Sequence, residues 1–129
     1  MVGTQEKSLA DRRTDFFKET VEFYKADVTR RAKGTISCVY RTLDGRKCAI
    51  GRWIPDDKYT PEIEYNGNVN NNIMELLPLH IQSLGKFFLS EVQIFHDSDR
   101  NWNEDGLSYH GTQTYTSIIN KIERNHYDQ

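Results

Sequence analysis

The tripeptide Leu43-Asp44-Gly45 constrains this chain more than any other short segment. It joins residues 36–42 to residues 46–54, two stretches that read as strands. A three-residue loop with glycine in third place predicts a type I turn closed by a G1 bulge. In that register Arg46 faces Thr42, Cys48 faces Tyr40 and Ile50 faces Cys38. Ile36, Cys38, Tyr40, Cys48 and Ile50 then share one apolar face. A two-residue Asp-Gly loop would slip the pairing by one residue, split the cysteines between faces and mix Tyr40 with Lys47. The bulged turn keeps the pattern coherent and is the expected one. Pro55 should end the second strand.

An isolated hairpin is marginal in water, so helices have to cover that face. Residues 9–33 supply the first. Ser8 is a fitting N-cap and Gly34 a fitting stop. Ala10, Phe17, Val21, Tyr24, Val28 and Ala32 form one apolar stripe, with Leu9, Phe16 and Phe23 beside it. Arg30, Arg31 and Lys33 suit the negative end of the helix dipole. Residues 84–97 form a second helix, with Phe88, Leu89, Val92, Phe95 and His96 within about 120° on a 3.6-residue wheel. A third opens at Thr112 and turns Tyr115, Ile118, Ile119 and Ile122 to one side. Residues 56–65 read as a helical turn and a loop, and 66–72 (Asn-Gly-Asn-Val-Asn-Asn-Asn) as an exposed, mobile loop. A short helix runs from Asn72 to Leu77, where Pro78 interrupts it, and residues 98–111 read as a loop.

The fold class expected is therefore α+β: a small β-hairpin or sheet packed against three or four helices. With 129 residues, 36% hydrophobic and 28% charged, the chain suits one domain, with residues 1–7 and 126–129 as flexible ends. A formal charge of −2 argues against a general nucleic-acid binder. No apolar window is long enough to span a bilayer and the N-terminus has no apolar signal segment, so a cytoplasmic protein is expected. Two cysteines do not make a disulfide scaffold.

A set of residues resembles a group of short, mostly uncharacterised bacterial and phage proteins. It comprises Cys38, Tyr40, Arg41, Asp44-Gly45, Lys47-Cys48-Ala49-Ile50-Gly51, Ile54-Pro55-Asp56, Tyr59, Pro61, Glu64, Gln93 and His96-Asp97. Arg52-Trp53 replaces an expected small or apolar pair, and Tyr65 an expected glycine. The resemblance implies no activity. It implies a bacterial or mobile-element origin, where small proteins often act on host machinery.

Cys38, Cys48, His96 and Asp97 invite a nucleophilic or a metal reading. A reactive thiol needs its pKa lowered, whereas both cysteines fall on the apolar face, where burial raises it. His96 and Asp97 point about 100° apart on a helix, which leaves Asp97 badly placed to orient His96. Nine residues separate the cysteines and no fourth soft ligand is evident, unlike a structural zinc site. Cys38, Tyr40, Cys48, Ile50 and His96 are accordingly read as core, with Asp56 as a partner for His96. Residues 97–108 match a calcium loop poorly, because Trp102 and Ser108 fall where glycine and glutamate belong. No catalytic residue, metal or cofactor is assigned.

Two binding surfaces remain. Arg41, Lys47, Arg52 and Trp53, on or near the reverse face of the hairpin, could hold a phosphate and stack a base of a nucleotide ligand. Phe16, Phe23, Tyr65 and Trp102 are the candidates for a partner contact, including a homodimer. The leading expectation is a non-catalytic phage-type accessory protein that binds a host protein, as an anti-defence inhibitor does. A nucleotide sponge and a small Cys/His enzyme are the alternatives.

Overall fold

The structure is a computed structural model that describes residues 7–32 and 39–127. It is an α+β fold. Five α-helices, several 3₁₀ turns and one two-stranded antiparallel sheet make up the described residues. Helix α1 (Leu9–Ala26) is capped by Ser8, whose hydroxyl accepts from the Asp11 N–H at 3.0 Å. It ends seven residues before the position the pattern suggests. Asp27 leaves the helical conformation and its carboxylate accepts from Thr29 N–H at 3.0 Å, which starts a 3₁₀ turn over Val28–Arg30. Lys33 and Gly34 lie outside the described residues.

The hairpin has the expected register. Thr42 N–H donates to Arg46 O at 2.9 Å, Cys48 N–H to Tyr40 O at 3.1 Å, and Arg41 pairs with Lys47. Gly45 sits at φ +90°, as a G1 bulge demands. The strands themselves are much shorter than 36–42 and 46–54. After Cys48 the chain turns into a 3₁₀ segment, Gly51–Trp53, instead of continuing. The Ile50 N–H finds its acceptor in the Gln93 side chain, 3.1 Å away on a distant helix. Gly51 packs under the hairpin so closely that a Cβ there would lie 2.2 Å from Tyr40 O. Residues 33–38, including Ile36 and Cys38, lie outside the described residues.

Short segments bridge to the rest. A 3₁₀ stretch, Pro61–Asn66, leads to α2 (Asn71–Met74) and α3 (Leu79–Gln82). The asparagine-rich segment between them is more tied down than its composition suggests. Val69 is buried, Asn70 caps α2, and Asn66 accepts from both Asn70 and Asn72. Helix α4 (Lys86–Asp97) buries Phe88, Leu89, Val92, Phe95 and His96, the face its periodicity indicates.

Residues 98–111 are ordered too. The sheet is here: β1 (Trp102–Asn103) and β2 (Gly106–Leu107) pair with Trp102 opposite Leu107. Helix α5 (Tyr109–Glu123) begins three residues before Thr112, capped by Ser108. The core lies where α1, α4 and α5 meet the hairpin. Phe17 meets Phe95 edge-on and stacks on Tyr115, both at 5.2 Å. Burial of each such side chain contributes about 1.5–3 kcal/mol. Tyr127 is buried against Phe88 at 5.4 Å, so the chain is packed down to that residue, inside the stretch expected as a flexible end.

Candidate functional site

Several residues of the pattern singled out in the sequence, from Tyr40 to Asp97, are joined by hydrogen bonds. Glu64 accepts from the backbone N–H groups of Tyr40 (2.8 Å) and Arg41 (3.0 Å) and from the Tyr59 hydroxyl (2.6 Å). Arg41 stacks on Tyr59 at 4.5 Å, donates to Ile54 O and pairs with Asp56 at 2.9 Å. Gln93 accepts from Ile50 and donates to Asp97, which in turn bonds His96 at 2.7 Å. These contacts tie the hairpin to α4 and the 61–66 stretch, and they satisfy backbone groups that a short hairpin leaves open.

Two expectations are corrected here. Asp97 does reach His96, although their Cα–Cβ directions diverge. Asp97 is the last residue of α4, and its carboxylate turns back between Gln93 and the His96 ring. Asp56 pairs with Arg41 and Lys47 and is not the partner of His96.

Tyr40, Cys48, Ile50 and His96 are buried; Cys38 lies outside the described residues. Burial pushes the Cys48 thiol up to about 12; the nearby Asp97 charge adds, while the Gly51 N–H, 3.1 Å from Sγ, opposes. Such a thiol holds its proton at neutral pH. Burial also lowers the His96 pKa, and outweighs the Asp97 contact that acts to raise it; Arg31 adds to the lowering. His96 is packed against Tyr24 at 4.6 Å, and its Nε2 has no partner among the described residues.

Below about pH 6.5 the unfolded chain therefore binds a proton that the folded one refuses, so stability falls with pH. The loss is at most about 1.4 kcal/mol per pH unit for one proton. Denaturation midpoints from pH 7.5 to 5 should fall more steeply in the wild type than in His96→Gln. Parallel curves would show that His96 takes up its proton without cost.

The candidate ligand residues divide. Arg41 is tucked into the framework above. Lys47 and Arg52 instead line a cleft of about 390 Å³ together with Phe23, Arg30, Gly45 and Arg46. Three local features bring these cations together. The early end of α1 at Asp27 lets Arg30 fold back on Phe23, 4.5 Å from the ring centroid. The bulged turn presents Arg46 and Lys47. The 3₁₀ segment after Cys48 brings Arg52 over the same ring at 4.0 Å. Phe23, half-buried, is thus flanked by two guanidinium groups.

The carboxylates around the cleft are outnumbered. Arg52 holds Glu19 through two bonds, 3.2 and 2.9 Å. Arg46 pairs with Asp44 at 3.1 Å. Lys47 shares Asp56, at 3.7 Å, with Arg41. Asp27 is turned onto Thr29. Among the described residues Arg30 has no carboxylate within ion-pair distance; it donates to Phe23 O at 3.0 Å. Positive charge is therefore concentrated at one place in a chain of net charge −2.

Trp53 faces a different cavity, an apolar groove of about 310 Å³ lined by Arg12, Asp15, Phe16, Glu19, Trp53, His80, Ile81 and Leu84. A third cavity, about 510 Å³, has Glu64, Gln93 and Asp97 in its wall, and all three are committed to the framework. Of the expected partner contacts, Phe16 and Trp102 are buried and are corrected to core. Phe16 is covered by Trp53 and Phe88, and Trp102 donates its indole N–H to His96 O at 3.1 Å. Only Tyr65, 89% exposed, is fully at the surface.

Arg30 and Arg46 escaped the sequence reading as ligand residues. The signal for Arg30 was Asp27-x-Thr29, which forms a cap and breaks the helix before the arginine. Arg46 belongs to the turn, whose register was legible, but its neighbours across the cleft come from distant segments. Among the described residues no group of three or more His, Cys, Asp or Glu side chains is placed to hold a metal ion. No helix among them is long and apolar enough to cross a membrane. In comparisons with known proteins, no family model, curated protein or solved structure matches this chain.

Proposed function

We propose that this protein is a non-catalytic binder of a small phosphorylated ligand, held in the cleft of Phe23, Arg30, Arg46, Lys47 and Arg52. The observation that carries this reading is the charge imbalance: of the four cations that line the cleft, Arg46 and Arg52 each hold one carboxylate, Lys47 shares Asp56 with Arg41, and Arg30 has none within ion-pair distance among the described residues. An anion entering the cleft relieves that repulsion and meets guanidinium groups suited to bidentate contact with phosphate. The described residues that line the cleft include no carboxylate, imidazole or thiol, which favours capture over chemistry. Sequestering such a ligand is one form of the host-directed accessory role that the resemblance implies.

Thermal denaturation with inorganic pyrophosphate tests the proposal. At a hundredfold excess over Kd a bound ligand adds about 2.7 kcal/mol, a rise in Tm of roughly 10 °C for a chain of this size. The rise should shrink between 20 and 300 mM salt, because exposed charges are screened. It should vanish in Arg30→Glu/Lys47→Glu, whose own Tm should move less than the ligand shift, because Arg30 is exposed and Lys47, half-buried, holds Asp56 only at 3.7 Å. No stabilisation of the wild type by pyrophosphate or by any nucleotide would remove the proposal.

A further inference from the structure

We propose that the basic cleft and the apolar groove are the two halves of one site for a nucleoside polyphosphate. The phosphates lie among Arg30, Arg46 and Lys47, and the base lies against Trp53. This rests on the reading of the cleft as an anion site and extends it to a ligand class.

Two features join the cavities. Glu19 lines the groove, Arg52 lines the cleft, and the two side chains are locked together by a pair of hydrogen bonds. That ion pair is the ridge between the cavities. Beneath it runs a single stripe of α1: Phe16 in the groove, Glu19 on the ridge and Phe23 in the cleft, at helical spacings of three and four. From Phe16 to Phe23 the helix rises about 10 Å. A ligand that fills both cavities needs an anionic end, a polar middle that can bond the Glu19–Arg52 pair, and an apolar end. A nucleotide has its phosphates, its sugar hydroxyls and its base in that order.

The groove suits a flat ring. Trp53 forms one wall, tilted on Phe16 at 5.9 Å, with the exposed His80 edge-on to it at 6.1 Å. Ile81 and Leu84 are buried behind it. Asp15 and Glu19 stand at the groove, each already paired, Asp15 with Lys7 at 2.5 Å and Glu19 with Arg52, and the Arg12 guanidinium is turned to the Ser83 hydroxyl at 2.8 Å. Three adjacent cations at the other end match several phosphates in a row and exceed what a monophosphate needs.

Equilibrium titration separates this proposal from the one it rests on. The probes are inorganic triphosphate, the four common nucleoside triphosphates and adenosine, in low-salt buffer without magnesium. At least one nucleoside triphosphate should bind about tenfold or more tighter than inorganic triphosphate, the usual scale of one aromatic stack. Trp53→Ala should remove most of that difference, with His80→Ala as a second, surface variant that weakens it. Equal binding of inorganic triphosphate and all the nucleotides by the wild type would overturn the two-part site and leave the anion cleft standing. No binding of either would overturn both. Nucleotide binding that persists in Arg30→Glu/Lys47→Glu would also overturn the proposal, because the phosphates would then lie elsewhere.

Discussion

Replacing Gly111 by alanine is expected to destabilise this protein by about 3 kcal/mol or more. The direction opposes the usual rule, in which alanine inside a helix is better than glycine by about 1 kcal/mol. Gly111 lies in the first turn of α5, and that turn sits directly on the backbone of Asn101. A Cβ at position 111 would lie 2.0 Å from Asn101 O and 2.9 Å from its Cα. Asn101 cannot step aside. Its side-chain amide donates to Phe95 O at 2.9 Å, and its carbonyl accepts from Ser108 N–H at 2.9 Å. Ser108 in turn caps α5 at Gly111 N–H, 2.9 Å away. The added methyl must push α5 away from the end of α4. Urea denaturation should show a lower midpoint with an unchanged slope. A midpoint equal to or above the wild type would mean that α5 does not dock on Asn101.

Cys48 should make the protein labile in alkali and resist alkylation while the fold is intact. Its thiol is pushed up to about 12, chiefly by burial. In the unfolded chain the same thiol titrates near 8.5. Below pH 8.5 both states hold the proton and the full stability is present. Between 8.5 and 12 the unfolded chain releases a proton that the folded chain keeps, so stability falls as pH rises. At about 1.4 kcal/mol per pH unit, roughly 3 kcal/mol is lost by pH 11. Burial raises the phenols of Tyr24, Tyr40 and Tyr127 as well, and these add to the loss above about pH 10. The comparison with Cys48→Ala isolates the thiol: the stability advantage of the wild type should shrink by that amount between pH 8.5 and 11.

Peptide mass mapping after iodoacetamide supplies the kinetic half. At pH 8 the folded protein should label at Cys48 on the order of 10³-fold more slowly than the urea-unfolded chain. Equal rates would mean an accessible thiolate, and the reading of Cys48 as packing would give way to a nucleophile.

Much of the local structure was legible. Ser8 as a cap, the Phe17–Val21–Tyr24 stripe, the buried face of α4 and the register of the hairpin each follow from side-chain spacing or turn chemistry within a few residues. The hairpin's length was not legible. Residues 46–54 carry a strand-like pattern, yet Ile50 satisfies its N–H with Gln93, forty-three positions away, and the chain turns. The β1–β2 pair escaped because two residues per strand are too few to show an alternation.

The candidate site shows the same division. Lys47, Arg52 and Trp53 were legible as a basic and aromatic group, but the fold assigns Trp53 to a separate groove and withdraws Arg41 into the framework. A net charge of −2 concealed a local excess of cations.

The sequence by itself determined where α1 begins, which faces α1 and α4 bury and how the turn at residues 43–45 pairs its arms, because those depend on neighbours a few bonds away. Only the tertiary structure decided which cations share a cleft and which carboxylates neutralise them. Phe23, Arg30, Lys47 and Arg52 lie on four separate segments, and Coulomb forces depend on their distance in space, which the packing of α1 against the hairpin sets.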